Sequence, residues 1–164
     1  MAEARRRTPW PVVVVGSFAF ACALMIAPAP AWAAVWRPPW VTLALIYWCL
    51  AMPHRVGIGT AVLTGLLTDV LLAAPLGQHA LANTVVAWLV LLVYRRVRMM
   101  SPVQQALYVL VLLLAHRAVA YVVLGLLGRA PADAAYWAPV LVGALLWPWA
   151  ALLLRGARHR GSAR

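Results

Sequence analysis

The chain has 164 residues, 66% of them hydrophobic and only 10% charged, with a formal net charge of +11. A typical soluble domain carries about 25% charged residues, so a water-soluble globule, or a second soluble domain beside the apolar material, is excluded. All 14 basic residues are Arg, and they cluster between apolar runs; this is a topology signal and not the basic face of a nucleic-acid binder.

Apolar runs occur at 11–27, 39–52, 56–74, 80–94, 103–127 and 136–154. Each predicts a helix, because hydrocarbon offers the backbone no other hydrogen-bonding partner. The first, third, fifth and sixth are near spanning length; the second and fourth are short and lean on interfacial residues. Breakers separate them: Pro28, Pro30, Pro38, Pro53, Pro75, Gly77, Pro102, Gly128 and Pro131. The expected fold is all-α: a single polytopic domain of six transmembrane helices with both termini cytoplasmic. Arg5–Arg7, Arg55, Arg95, Arg96, Arg98, Arg155, Arg158, Arg160 and Arg164 then fall on one side. Arg37 and Arg129 fall on the other, as the inside bias of arginine requires. Trp32, Trp36, Trp40 and Trp137 are expected near the outer interface, and Trp10, Trp48, Trp147 and Trp149 near the inner one. Arg5–Arg7, an apolar stretch and Ala31-Trp32-Ala33 imitate a cleavable signal peptide, but cleavage leaves an odd number of spans.

Asp69 is the sharpest position, since an acid inside an apolar run is costly unless it faces protein. Gly57, Ala61 and Gly65 precede it at four-residue spacing, so all four share one side of a helix. That small-residue stripe admits close approach by another helix, of this chain or of a partner. Arg117, after His116, is the expected counter-ion: Asp69 and Arg117 each lie fourteen residues into outward-running helices, about 21 Å along at about 1.5 Å per residue. His54 and Arg55 occupy a cytoplasmic turn, as positive-inside determinants or as ligands of a lipid phosphate. His79 reads as polar loop material. Cys22 and Cys49 read as small apolar packing residues.

No catalytic set is visible. The acids are Glu3, Asp69 and Asp133, and the serines are Ser17, Ser101 and Ser162; none forms a dyad or triad by position. No nucleotide loop, metal-ligand spacing or cofactor motif is present, so no cofactor and no metal are expected.

Several blocks carry a family resemblance. Arg37-Pro38-Pro39-Trp40-Val41, Ile46-Tyr47-Trp48, Leu50-Ala51-Met52-Pro53-His54-Arg55-Val56 and Gly59-Thr60 resemble the rod shape-determining protein MreD of Gram-negative bacteria. Asp69, Leu76-Gly77, Gln104-Gln105-Ala106-Leu107 and Leu146-Trp147-Pro148-Trp149 fit the same pattern. His116-Arg117 departs from it, standing where the family often has an acid. The resemblance implies a six-span inner-membrane component of the elongasome, the cell-elongation machinery for lateral peptidoglycan synthesis. It implies a scaffold without catalysis that binds the membrane helix of MreC. It further implies indirect links to MreB and to RodA with its penicillin-binding transpeptidase, and a fold similar to the substrate-binding components of vitamin transporters. Helix packing through the Gly57–Asp69 stripe, or a comparable face, is the expected mechanism, with Gly65→Leu weakening partner capture more than Arg158→Ala. The rival reading is a small-molecule-binding transporter component, with a cavity lined by Asp69, Asn83, Thr84 and Arg117.

Overall fold

The computed structural model describes residues 10–28, 30, 33 and 35–162, with side chains as far as Gly156. Arg5–Arg7, Trp32 and Arg164 lie outside the described residues, and Arg158 and Arg160 outside the described side chains. The elements are α1 (Trp10–Ile26), α2 (Trp40–Ala51), α3 (Ile58–Leu71), α4 (Gln78–Met99), α5 (Pro102–Leu126), a 3-10 turn (Ala134–Trp137) and α6 (Ala138–Ser162). The described residues contain no strand, so the all-α class holds.

The helices form a ring, α1–α3–α4–α5–α6 and back to α1, with α2 inside it. Ten of the twelve residues of α2 are buried, from Val41 to Leu50. A helix apolar on every side belongs in such a centre. Cys22 and Cys49 pack within the apolar core. Three helical stretches are long and apolar enough to cross a bilayer: Gln78–Met99, Pro102–Leu126 and Ala134–Gly156. The other three are apolar but shorter.

Two expected lengths are corrected. The third helix has 14 residues, not a near-spanning run over 56–74. Gly57 precedes it in extended backbone, and Ala73 takes a positive φ of 49° just beyond it. The fourth helix has 22 residues, not the short run 80–94. Arg95, Arg96 and Arg98 end the apolar run without ending the helix, because arginine is a good helix former. The stop comes at Ser101-Pro102. There Ser101 Oγ accepts from the Gln104 amide and Gln104 Oε1 accepts from the Ser101 amide, the reciprocal cap that starts α5. Gln105 closes the same corner, its amide donating to the carbonyls of Val97 (2.9 Å) and Met100 (3.3 Å).

Two expected interface tryptophans are corrected as well. Trp48 and Trp147 are each 1% exposed and belong to the protein interior. The Trp48 indole donates to Ser17 Oγ at 2.7 Å, tying α2 to α1. Buried indoles find such a partner when one is in reach. Trp10, Trp36, Trp88, Trp137 and Trp149 are exposed.

Candidate functional site

Asp69 lies at the end of α3 and is fully buried. Its carboxylate closes the corner between α3 and α4. Oδ2 accepts from the Gly77 amide at 2.9 Å and from the Ala80 amide at 3.4 Å. Oδ1 accepts from the His79 amide at 2.8 Å and contacts His79 Nδ1 at 2.8 Å. A carboxylate is acceptor-only, so Nδ1 carries the imidazole proton in this contact. Gly77, at φ 97°, is the N-cap of α4, a backbone state that glycine adopts without steric cost. It has no side chain with which to cap the helix, and Asp69 supplies the cap from the preceding helix. The negative charge also meets the positive end of the α4 dipole.

The stripe behind Asp69 serves the same joint. A Cβ added at Gly65 would stand 2.3 Å from Ala80 Cα and 2.6 Å from Ala80 N. The two backbones therefore touch at a point that only glycine permits. Ala61 is fully buried, and a Cβ on Gly57 would meet Leu91 Cδ1 at 3.7 Å. The stripe is thus occupied by α4 of the same chain, and is not a free face for a partner helix. Thr64 and Thr68, on the same helix, satisfy their hydroxyls on the carbonyls one turn back.

The expected pairing of Asp69 with Arg117 is not what the structure shows. Both oxygens of Asp69 are spent on the start of α4. The Arg117 guanidinium lies over the Tyr136 ring, 4.6 Å from its centroid, and the Tyr136 hydroxyl donates to the Arg117 carbonyl at 3.2 Å. Equal depth along two helices set the pairing up, but the turn after α3 brings His79 and three amides closer. His79 is accordingly corrected from loop material to a residue of α4 bonded to Asp69. The signal was Asp69 with Gly77 and His79 eight and ten residues on, across a tight turn. Such spacing lets a helix-end acid reach the next helix start.

A polar cluster continues inward from this joint. The Thr42 hydroxyl donates to Asn83 Oδ1 at 3.0 Å and lies 3.3 Å from His116 Nε2, joining α2, α4 and α5. With the hydroxyl proton committed to Asn83, Thr42 Oγ1 is the acceptor for His116 Nε2–H. The rings of His79 and His116 stand 5.8 Å apart. A cavity of about 520 Å³ opens beside them, lined among others by Thr42, Gln78, His116, Arg117 and Asp133. The buried His116 Nδ1, Gln78 Oε1 and Arg117 Nε have no protein partner among the described residues. Of the residues expected to line a transporter's cavity, Arg117 does so. Asp69 is fully engaged, Asn83 is held by Thr42, and Thr84 donates to the Ala80 carbonyl at 2.7 Å.

The family-like residues take structural places. The Arg37 guanidinium donates to the carbonyls of Met25 and Ala27 and pins the connection that follows α1. Pro38 is buried, and Trp40 begins α2. Pro53, His54 and Arg55 form the α2–α3 turn; Gly59 and Thr60 fall in the first turn of α3. Leu76 is exposed beside Gly77. Pro148 stands inside α6 between buried Trp147 and exposed Trp149.

Charge is unevenly divided between the ends of the bundle. A cavity of about 660 Å³ at one end is lined by His54, Arg55, Arg95 and Arg98, with the Arg55 guanidinium 4.4 Å from the Trp10 ring centroid. Arg155 borders a further recess with Arg98. The opposite end holds Arg37 and Arg117 together with Asp69 and Asp133. Among the described residues no group of three His, Cys, Asp or Glu is placed to hold a metal ion.

Residues 5–157 match the family model of the rod shape-determining protein MreD. The chain is 33% identical over 150 residues to the Rod shape-determining protein MreD of Haemophilus influenzae, covering 90% of this chain and 91% of that protein. No solved structure matches. An apolar helical bundle that spends Asp69 on its own packing, matched along nearly its whole length, belongs to the MreD family of rod shape-determining proteins.

Proposed function

We propose that this protein is a non-enzymatic, six-span inner-membrane component of the rod machinery, with both termini in the cytoplasm. In this role it regulates cell shape and lateral peptidoglycan synthesis by holding the membrane helix of MreC. MreB, RodA and its penicillin-binding transpeptidase are reached through that partner. Family membership supports the shape role. The gathering of Arg55, Arg95, Arg96, Arg98 and Arg155 toward one end supports the orientation.

The observation that carries the mechanism is the division of α3 into two faces. The side carrying Ala61, Gly65 and Asp69 is closed by α4; Gly57, expected on the same helix face, stands before the helix in extended backbone. The opposite side presents Leu63 (70% exposed), Leu66, Leu67 and Val70 (67% exposed) outward. Their spacing keeps them on one helical face. At 14 residues α3 is about 21 Å long, against a hydrocarbon core of about 30 Å. A helix this short can relieve mismatch by associating with another helix, and α3, at 14 residues against 17 for α1, is the shorter of the two short helices on the ring. The MreC helix therefore packs on the outward face of α3.

Photocrosslinkers at Leu63 and Val70 are expected to capture MreC in membranes. The same group at Leu107 and Val122, exposed on α5, is expected to leave it uncaptured. Capture from α5 with none from α3 would refute the site. Saturable small-molecule binding by the purified protein, undiminished when MreC is bound, would favour transport instead.

A further inference from the structure

The cationic cavity at the α2–α3 turn is not required for any helix contact described above. It is walled by α1, α2 and α4: Trp10 on one side, His54 and Arg55 on the turn, Tyr94, Arg95 and Arg98 on the other. Three arginines and a histidine thus line a space of about 660 Å³. Among the described residues no carboxylate lines it. Of the three acids, Asp69 and Asp133 belong to the opposite end and Glu3 lies outside the described residues. Positive-inside bias accounts for arginines at this end of the molecule, but it does not account for their gathering around one recess.

The aromatic groups hold two of the cations in place. Arg55 lies over the Trp10 ring, and Arg95 Nε donates to the Tyr94 hydroxyl at 3.1 Å. A guanidinium stacked on an indole face keeps its edge N–H groups free for an anion. The same lining includes the apolar side chains Val13, Ala51 and Met52. A recess lined by cationic and apolar groups together, beside the exposed Val12 and Val15 of α1, fits an anionic group attached to an acyl chain.

We propose that this recess binds a phosphate group, as carried by the headgroup of an anionic phospholipid. Arg55 and Arg98 are its principal ligands, since planar guanidinium forks match phosphate oxygens. His54 and Arg95 add charge. The same chemistry would accept free phosphate, so the test separates the two sources. The leaflet that supplies the lipid follows from the orientation proposed above, whereas binding itself does not depend on it.

The full chain, purified in neutral detergent, is titrated with phosphatidylglycerol or phosphatidylcholine and read by native mass spectrometry. The expected result is preferential retention of phosphatidylglycerol, weakened about tenfold or more in R55A/R98A. R96A/R155A removes the same charge from the same end but outside this lining, and should weaken retention by less than about threefold. If millimolar inorganic phosphate leaves phosphatidylglycerol bound, the headgroup with its chain is the ligand. If it displaces the lipid, the site takes the free anion. Equal losses in the two double variants, or equal retention of both lipids by the unaltered chain, would overturn the proposal. A headgroup-photoactivatable phosphatidylglycerol on the unaltered protein guards against misfolded variants. Its adducts should map to residues 10–13, 48–55 and 94–98, and adducts confined elsewhere would also overturn it.

Discussion

Replacing Asp69 by Asn tests the α3–α4 joint without changing its volume. Each carboxylate oxygen accepts two contacts, three of the four at 2.8–2.9 Å and one at 3.4 Å. An amide keeps one acceptor oxygen and presents an NH2 where the other stood, so donor faces donor at one pair. If the oxygen stays toward His79, the Gly77 amide is left unpaired; if it turns toward Gly77, the His79 amide is. Hydrogen bonds to a charged group contribute about 1.5–3 kcal/mol each, and contacts within a membrane fall nearer about 0.6–2 kcal/mol. The lost charge at the α4 N-terminus adds about 0.3–1 kcal/mol. The expected destabilisation is therefore about 2–4 kcal/mol. Equilibrium unfolding in mixed detergent micelles, followed by far-UV circular dichroism, measures it. Asp133→Asn is the control: that carboxylate is exposed and caps the 3-10 turn through one bond to Ala135 at 2.8 Å. Its change should stay below about 1 kcal/mol. Equal small changes in both variants would refute the role assigned to Asp69.

Other outcomes follow from the same contacts. Gly65→Ala forces α3 off α4 at Ala80 and should cost at least about 1–3 kcal/mol in the same unfolding assay, whereas Gly16→Ala, in open space, should not destabilise. Ser101→Ala removes the reciprocal cap of α5 and should cost about 0.5–2 kcal/mol. Trp48→Phe removes the indole donor to Ser17 Oγ, whose hydroxyl keeps its bond to the Val14 carbonyl, and should lower stability by about 1 kcal/mol, with Ser17→Ala on top of it adding little in a double-mutant cycle. Single cysteines at Arg55, Arg96 and Arg155 should react with a membrane-impermeant thiol reagent only after spheroplasts are broken. Cysteine at Arg129 should react in intact spheroplasts.

Much of this bundle was legible because lipid imposes few options. Long apolar runs between arginines dictate helices, and a glycine-alanine stripe ending in an acid dictates a close helix contact. What sequence left open was which helix fills that contact. Spacing places Gly57, Ala61, Gly65 and Asp69 on one face, but only the turn through Ala73 and Gly77 brings the start of α4 back onto it. The same turn makes His79 a partner of Asp69 and frees Arg117 to stack on Tyr136. Hydropathy also marks where a helix leaves the apolar layer, not where it stops: α4 continues through Arg95–Arg98 to Met99. Position along the axis alone puts Trp48 and Trp147 near an interface. Their burial depends on α2 lying at the centre of the ring, which is a tertiary fact.

Depleting this protein in a rod-shaped Gram-negative cell, while following shape and MreC association together, tests the scaffold role most directly. Rods that swell into spheres, rescued by the unaltered chain but not by one whose α3 outer face no longer captures MreC, are the predicted result. Cells that keep their rod shape and width after depletion, with MreC assemblies intact, would contradict it.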